Sequence, residues 1–259
     1  MKKINKGEEP PLLKEYKKNN PDDDWKSGFK KNAGKEPNAQ VQEYLTKDQF
    51  GLCLYCEIDL LSGEGYALDD FRVEHFFPEN PIIKQLDNDV NQALEWSNLF
   101  GCCCGGNQRY VVDKNNRYTN PDFSCDVDKG NNDWVDLILN PLLEVPAFPL
   151  IFDYDEDGYI FVSESRCPDE LREKAHQSIL LLKLNSERLL KFRKKVVDKL
   201  RKQMINLTVV EDMDDDDALY QLAETYFEAS LKYPAFFSLI RWYLTEQAEL
   251  YLKNVKYNG

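Results

Sequence analysis

The chain is short of several things, and each shortage excludes a class. No apolar run approaches the roughly 18–20 residues that a membrane-spanning helix needs, and the start, Met1-Lys2-Lys3-Ile4-Asn5-Lys6-Gly7, has no apolar core of a secretory signal. A cytoplasmic protein with no membrane partner is therefore expected. Histidine is scarce: only His75 and His176 occur in 259 residues, which leaves few imidazoles for catalysis or metal binding. Positive charge is also in deficit, with 33 Lys and Arg against 46 Asp and Glu and a net charge of −13. That balance argues against a stand-alone nucleic-acid binder, because phosphate contacts reward basic surfaces. No internal repeat is present.

What is there is uneven. Five of the seven cysteines fall between residues 53 and 104, and a sixth is Cys125. Such clustering in a reducing compartment points to metal ligation rather than disulfides. Between Arg188 and Lys202 there are eight Lys or Arg and one acid, while Glu211–Asp217 carries six acids in seven residues.

Pattern gives an α+β chain. Residues 1–45 read as an arm with a short helix anchored by Trp25, and a helix over Gln40–Phe50. Residues 46–165 read as an irregular, metal-stabilised domain. Within it Phe71–Phe76 alternates like a strand, Gln92–Phe100 is predicted as a helix, and 101–135 as largely irregular. Asp153–Gly158 reads as a turn between two short strands. Residues 166–259 read as a helical, partner-docking domain. One amphipathic helix is expected over Glu170–Met204, with Ile179, Leu182, Leu189, Val196 and Leu200 inward. A second, capped near Asp217, is expected through Tyr233, and a third over Ala235–Val255.

Cys53-x-x-Cys56 is a tight turn offering two thiolates to one ion, and structural zinc is tetrahedral with four such ligands. The second pair is drawn from Cys102-Cys103-Cys104 and Cys125. Cys103 with Cys125 is the expected choice, giving Zn²⁺ the ligands Cys53, Cys56, Cys103 and Cys125. Hydrolysis of a phosphodiester needs a base for water and a cation on the phosphate. His75 suits the first role. Glu74 and Asp126 suit Mg²⁺ or another divalent cation, which prefers oxygen. Asn98 is placed to hold the base by a side-chain hydrogen bond. A zinc deaminase is disfavoured, since His75-Phe76-Phe77 lacks the glutamate that such sites place two residues after the histidine.

Taken together, Cys53-Leu54-Tyr55-Cys56-Glu57, Val73-Glu74-His75-Phe76 with Pro78, and Trp96-Ser97-Asn98-Leu99 resemble the HNH nucleases. The closer resemblance is to the PtuB nuclease subunits of Septu-type and retron-linked anti-phage systems. It spans roughly residues 10 to 200, and adds Asn140-Pro141, the Asp155–Gly158 turn and Leu184-Asn185. The resemblance implies a ββα-metal core stabilised by zinc, with His75 as general base and Asn98 as the middle motif residue. Asp126 stands where the family has a final His or Asn, with Asn107 as the competing choice, and Glu74 falls at a frequent metal-ligand position. It further implies a nucleic-acid substrate, an ABC-like ATPase partner of the PtuA type and, in retron forms, a reverse transcriptase with its DNA product. Lys129, Arg188, Lys191, Arg193, Lys194 and Lys195 are the expected nucleic-acid or partner surface. The competing expectation is a zinc-stabilised adaptor without catalysis, which the acidic charge favours.

Overall fold

The computed structural model describes all residues except 62–69, 81–90, 108, 110–113, 120 and 229–231. Mixed helix and small sheets make it an α+β protein. The N-terminal segment forms α1 (Pro11–Asn19), a π-turn over Trp25–Phe29, the short α2 (Lys30–Asn32) and α3 (Lys35–Asp48). Asp24 caps the π-turn by accepting from Ser27 N and Gly28 N. Leu13, Trp25, Phe29, Val41 and Leu45 of this segment pack with Leu94, Trp96 and Leu99 into one apolar cluster. The Trp25 anchor expected from the sequence is present and is joined by Phe29, while the segment carries more helix than the single short one expected of residues 1–40.

β1 (Phe71–His75) and β2 (Leu99–Cys103) pair antiparallel, with Glu74 opposite Phe100 and His75 opposite Leu99. The helix predicted over Gln92–Phe100 is absent. A 3₁₀ turn covers Trp96–Asn98 and the chain then runs straight into β2. All five β2 residues are buried, so this strand carries no polar–apolar alternation to betray it. Two short helices follow, α4 (Lys114–Arg117) and α5 (Asp126–Lys129).

β3 (Phe152–Tyr154) and β4 (Ile160–Val162) form the expected hairpin around the Asp155–Gly158 turn. Helices α6 (Asp169–Leu181), α7 (Glu187–Ile205), α8 (Asp215–Phe227), α9 (Phe237–Tyr243) and α10 (Thr245–Asn254) complete the chain. The single helix predicted over Glu170–Met204 is two. The chain breaks at Lys183, whose φ is 48°, and Asn185 bonds through its side chain to both Ile160 N and Ile160 O, each at 2.9 Å. The third predicted helix is likewise divided at Leu244–Thr245, where Thr245 has φ 54°. α8 stops at Phe227 rather than Tyr233, and its cap is Asp214, an acid near Asp217 as expected. The main core draws Cys53, Phe76, Phe100, Phe152, Leu189, Val197 and Leu239 together, and thus residues from either side of position 165.

Candidate functional site

The Cys53–Cys56 turn is pinned at both ends. Cys53 N donates to Ile58 O at 2.8 Å, Glu57 N to Cys53 O at 3.1 Å, and Leu54 N to Gly101 O of β2 at 3.0 Å. The turn thereby faces the end of β2, where Cys102 and Cys103 lie. Cys125 arrives from the far side of the intervening loop, immediately before α5, with φ 61°. That loop is closed by a backbone clasp: Ser124 N donates to Gly105 O and Thr119 N to Gly106 O, both at 3.0 Å. The clasp is tight at Gly105, where an added Cβ would meet Ser124 O at 2.1 Å.

The result is a buried thiol cluster. The sulfurs of Cys53, Cys102, Cys103 and Cys125 lie within 4.8 Å of one another. Cys56 joins through Cys103 at 3.7 Å, the separation also seen for Cys53–Cys102 and Cys103–Cys125. A tetrahedral zinc with Zn–S bonds of about 2.3 Å sets its sulfurs about 3.8 Å apart, so the 3.7 Å pairs are compatible with a zinc centre. Cys103 N also donates to the Cys53 sulfur at 3.4 Å, and hydrogen bonds from Cys102, Cys125, Cys53 and Cys56 hold the Cys103 thiol well below the ordinary range. Sequence reasoning listed Cys56 as the fourth ligand and gave Cys102 no role. The structure brings both to the cluster.

Arg188 supplies an independent indication of negative charge here. It is only 3% exposed, its guanidinium donates to Ser124 Oγ at 2.6 Å, and its Nε is buried with no hydrogen-bond partner. No carboxylate pairs with it among the described residues. Burial opposes its charge, yet the neighbouring Cys103, Cys56 and Cys125 thiols outweigh that cost and hold the guanidinium firmly protonated. A buried cation needs a compensating anion, and four thiolates on Zn²⁺ carry a net charge of −2. The donor set, the sulfur spacing and this counter-charge all fit zinc.

Strand alternation divides the predicted catalytic residues between the two faces of β1. On one face, His75 meets the edge of Trp25, with ring centroids 5.6 Å apart. Its Nε2 donates to Ala93 O at 3.0 Å, because a carbonyl only accepts, and Nδ1 is left as the basic nitrogen. Burial pushes the imidazole pKa down, so the ring is neutral at physiological pH. On the other face, Glu74 Oε1 accepts from Tyr55 OH at 3.1 Å and pairs with Lys129 Nζ at 2.8 Å. Lys129 also donates to His75 O at 2.7 Å. Arg72 lies 3.5 Å from Asp126 Oδ2 and donates to Asn107 Oδ1 at 2.5 Å. Asp126 Oδ1 is buried with no partner, and burial followed by the Glu74 charge raises its pKa well above the carboxylate range.

Asn98 does not touch the imidazole, contrary to the sequence expectation. Its amide accepts from Phe77 N at 2.7 Å and donates to Phe77 O and Gln92 O at 2.9 Å each. It clamps the turn after His75 rather than the ring. The predicted basic surface is also revised. Lys129, Arg188 and Arg193 are buried, at 1%, 3% and 2% exposure, because each serves an internal acceptor. Lys191, Lys194 and Lys195 are exposed, and the first two pair with Glu187 and Asp157. Arg72 was missed in the sequence, and Arg188 was read as a surface residue rather than a buried one. An arginine in a strand or in a basic amphipathic helix carries no mark of burial there.

No family model matches the chain. It is 29% identical over 222 residues to an Escherichia coli protein named "Retron Ec83 putative HNH endonuclease", which covers 76% of this chain and 79% of that protein. The buried thiols form a group that could bind zinc. Among the described residues no helix is long and apolar enough to cross a membrane.

Proposed function

We propose that the protein is an HNH endonuclease that hydrolyses phosphodiester bonds in nucleic acid, with DNA favoured over tRNA or other RNA. We place it as the effector of an anti-phage complex with an ABC-like ATPase of the PtuA type, and in a retron setting with a reverse transcriptase and its DNA product. The observation that carries the reading is His75: a neutral imidazole on a hairpin anchored by a thiol cluster, in a chain 29% identical to a named HNH endonuclease. Zinc is assigned to Cys53, Cys103 and Cys125 with Cys56 or Cys102 as the fourth ligand.

In this reading His75 Nδ1 takes a proton from the attacking water while Nε2 stays on Ala93 O, which fixes the ring and its tautomer. Asn98 holds the following turn, and with it the backbone that carries the ring. Mg²⁺ is satisfied by one or two carboxylates with waters and substrate phosphates. The unpartnered Asp126 Oδ1 fits that need, whereas Glu74 and Asn107 are held by Lys129 and Arg72. A divalent cation would supply Lewis-acid stabilisation of charge on the phosphate.

The ion pairs of Glu74 and Asp126 with Lys129 and Arg72 favour a second reading, a zinc-stabilised adaptor without catalysis. One assay separates the two. Purified protein, alone and with a cognate ATPase, is incubated with plasmid DNA and with tRNA, with Mg²⁺ or with EDTA. The nuclease reading expects Mg²⁺-dependent cleavage that His75→Ala abolishes with its melting temperature retained. Equal cleavage by parent and variant would remove His75 from the chemistry, and no cleavage in any arm favours the adaptor.

A further inference from the structure

His75 lines a groove of about 420 Å³ between β1 and the N-terminal segment, whose walls include Trp25, Lys26, Lys30, Asn38 and Arg72. The charge beside it runs against the acidic average of the chain, although Asp22–Asp24 and Glu36 flank the stretch. From Trp25 to Lys35 there are four lysines, Lys26, Lys30, Lys31 and Lys35, and no acid, in a protein of net charge −13. All four are exposed, and none forms a salt bridge among the described residues. The one carboxylate of the groove, Glu79, accepts from Trp25 N at 2.6 Å and Lys26 N at 3.1 Å. It holds the π-turn in place and takes no lysine.

The rival surface on α7 is different. Arg188 and Arg193 are buried there, Lys191 and Lys194 are paired with Glu187 and Asp157, and Arg201 is paired with Glu156. Much of the positive charge on α7 is therefore already neutralised within the molecule. Free, exposed ammonium groups beside a candidate base are suited to phosphate oxygens, whose counterions they release on binding.

Resting on the nuclease reading above, we propose that the groove between the Trp25–Lys35 segment and β1 receives the phosphodiester backbone of the substrate, with Lys26 and Lys30 as its phosphate contacts. The segment that the sequence presents as a polar arm is then the substrate-guiding element, and α7 is not. Arg72 joins the groove to the Asp126 side of the strand, since its guanidinium also reaches Asp126 and Asn107.

The test is equilibrium binding by fluorescence anisotropy, without added Mg²⁺, over a salt series. The probes are one labelled 20-mer sequence as single-stranded DNA, duplex DNA and RNA. Full-length parent is compared with Lys26→Glu/Lys30→Glu and with Lys191→Glu/Lys195→Glu, which make the same charge change on α7. The expected result is a loss of about ten-fold or more in affinity for the preferred polymer in the first variant, with a salt dependence shallower by about two phosphate contacts. The α7 variant should change affinity by less than about two-fold. Both pairs are exposed, and circular dichroism checks that the variants remain folded. Equal losses in the two variants, loss only in the α7 variant, or no binding of any polymer by the parent would overturn the assignment. Failure here alone is distinguishable from failure of the nuclease reading: cleavage lost in His75→Ala but indifferent to Lys26 and Lys30 sinks the groove and leaves the chemistry standing.

Discussion

Arg188 faces the thiols and, among the described residues, no carboxylate neutralises it, so its stability depends on the charge of the cluster. Removing one partner of a buried charge pair costs about 3–5 kcal/mol. Arg188→Met is therefore expected to destabilise the zinc-loaded protein by about that amount in urea denaturation, and to speed zinc transfer to a chromogenic chelator. Arg188→Lys should recover part of both. A variant with Met that keeps parental stability and zinc retention would show that the cluster carries no net negative charge. The residue also illustrates what the sequence conceals. The Cys53–Cys56 pair was legible as part of a thiol cluster because its spacing is itself the signal, and His75 stood out as a candidate because the chain has so few imidazoles. Arg188 sits among eight basic residues in fifteen, and only packing separates it from its solvated neighbours.

Among the elements, the two strands of the first hairpin differ in how openly the sequence declares them. Phe71-Arg72-Val73-Glu74-His75 alternates because its faces meet different surroundings: apolar helices on one side, a charged network on the other. Leu99–Cys103 is buried on both faces, so period and composition cannot separate it from a buried helix. The break between α6 and α7 was equally hidden, because Leu182-Lys183-Leu184-Asn185 contains neither Gly nor Pro and the turn is held by Asn185 bonding to β4. Asn98 is the element-level control on the site, since two side-chain hydrogen bonds tie the 3₁₀ turn before β2 to Phe77 in the turn after β1 and a third ties it to Gln92. Asn98→Ala should cost about 2 kcal/mol or more, given roughly 1–3 kcal/mol for each buried group left unsatisfied. On the proposed nuclease reading, the resulting displacement of His75 should lower kcat by about 100-fold with little change in substrate affinity. A variant that loses stability but keeps kcat would confine Asn98 to the fold.

Across the whole molecule, the thiols belong to the same core as Phe152, Leu189, Val197 and Leu239, and metal-binding energy in such a site is folding energy. Chelation at neutral pH is expected to lower the melting temperature of the full chain and to diminish the helical signal of α6 and α7, beyond the small hairpin alone. A chelated protein whose far-ultraviolet spectrum and melting are unchanged would detach the cluster from the fold. The molecule also tolerates its long excursion between Cys103 and Cys125 for a clear reason. The excursion leaves and re-enters through the clasp at Gly105–Gly106 and Thr119–Ser124, so its length is insulated from the sulfur positions. Doubling a flexible loop costs only about 0.6 kcal/mol. Insertions or deletions between Gly106 and Thr119 are therefore expected to leave the positions of Cys103 and Cys125 undisturbed, so this stretch can be re-clothed without cost to the thiol cluster.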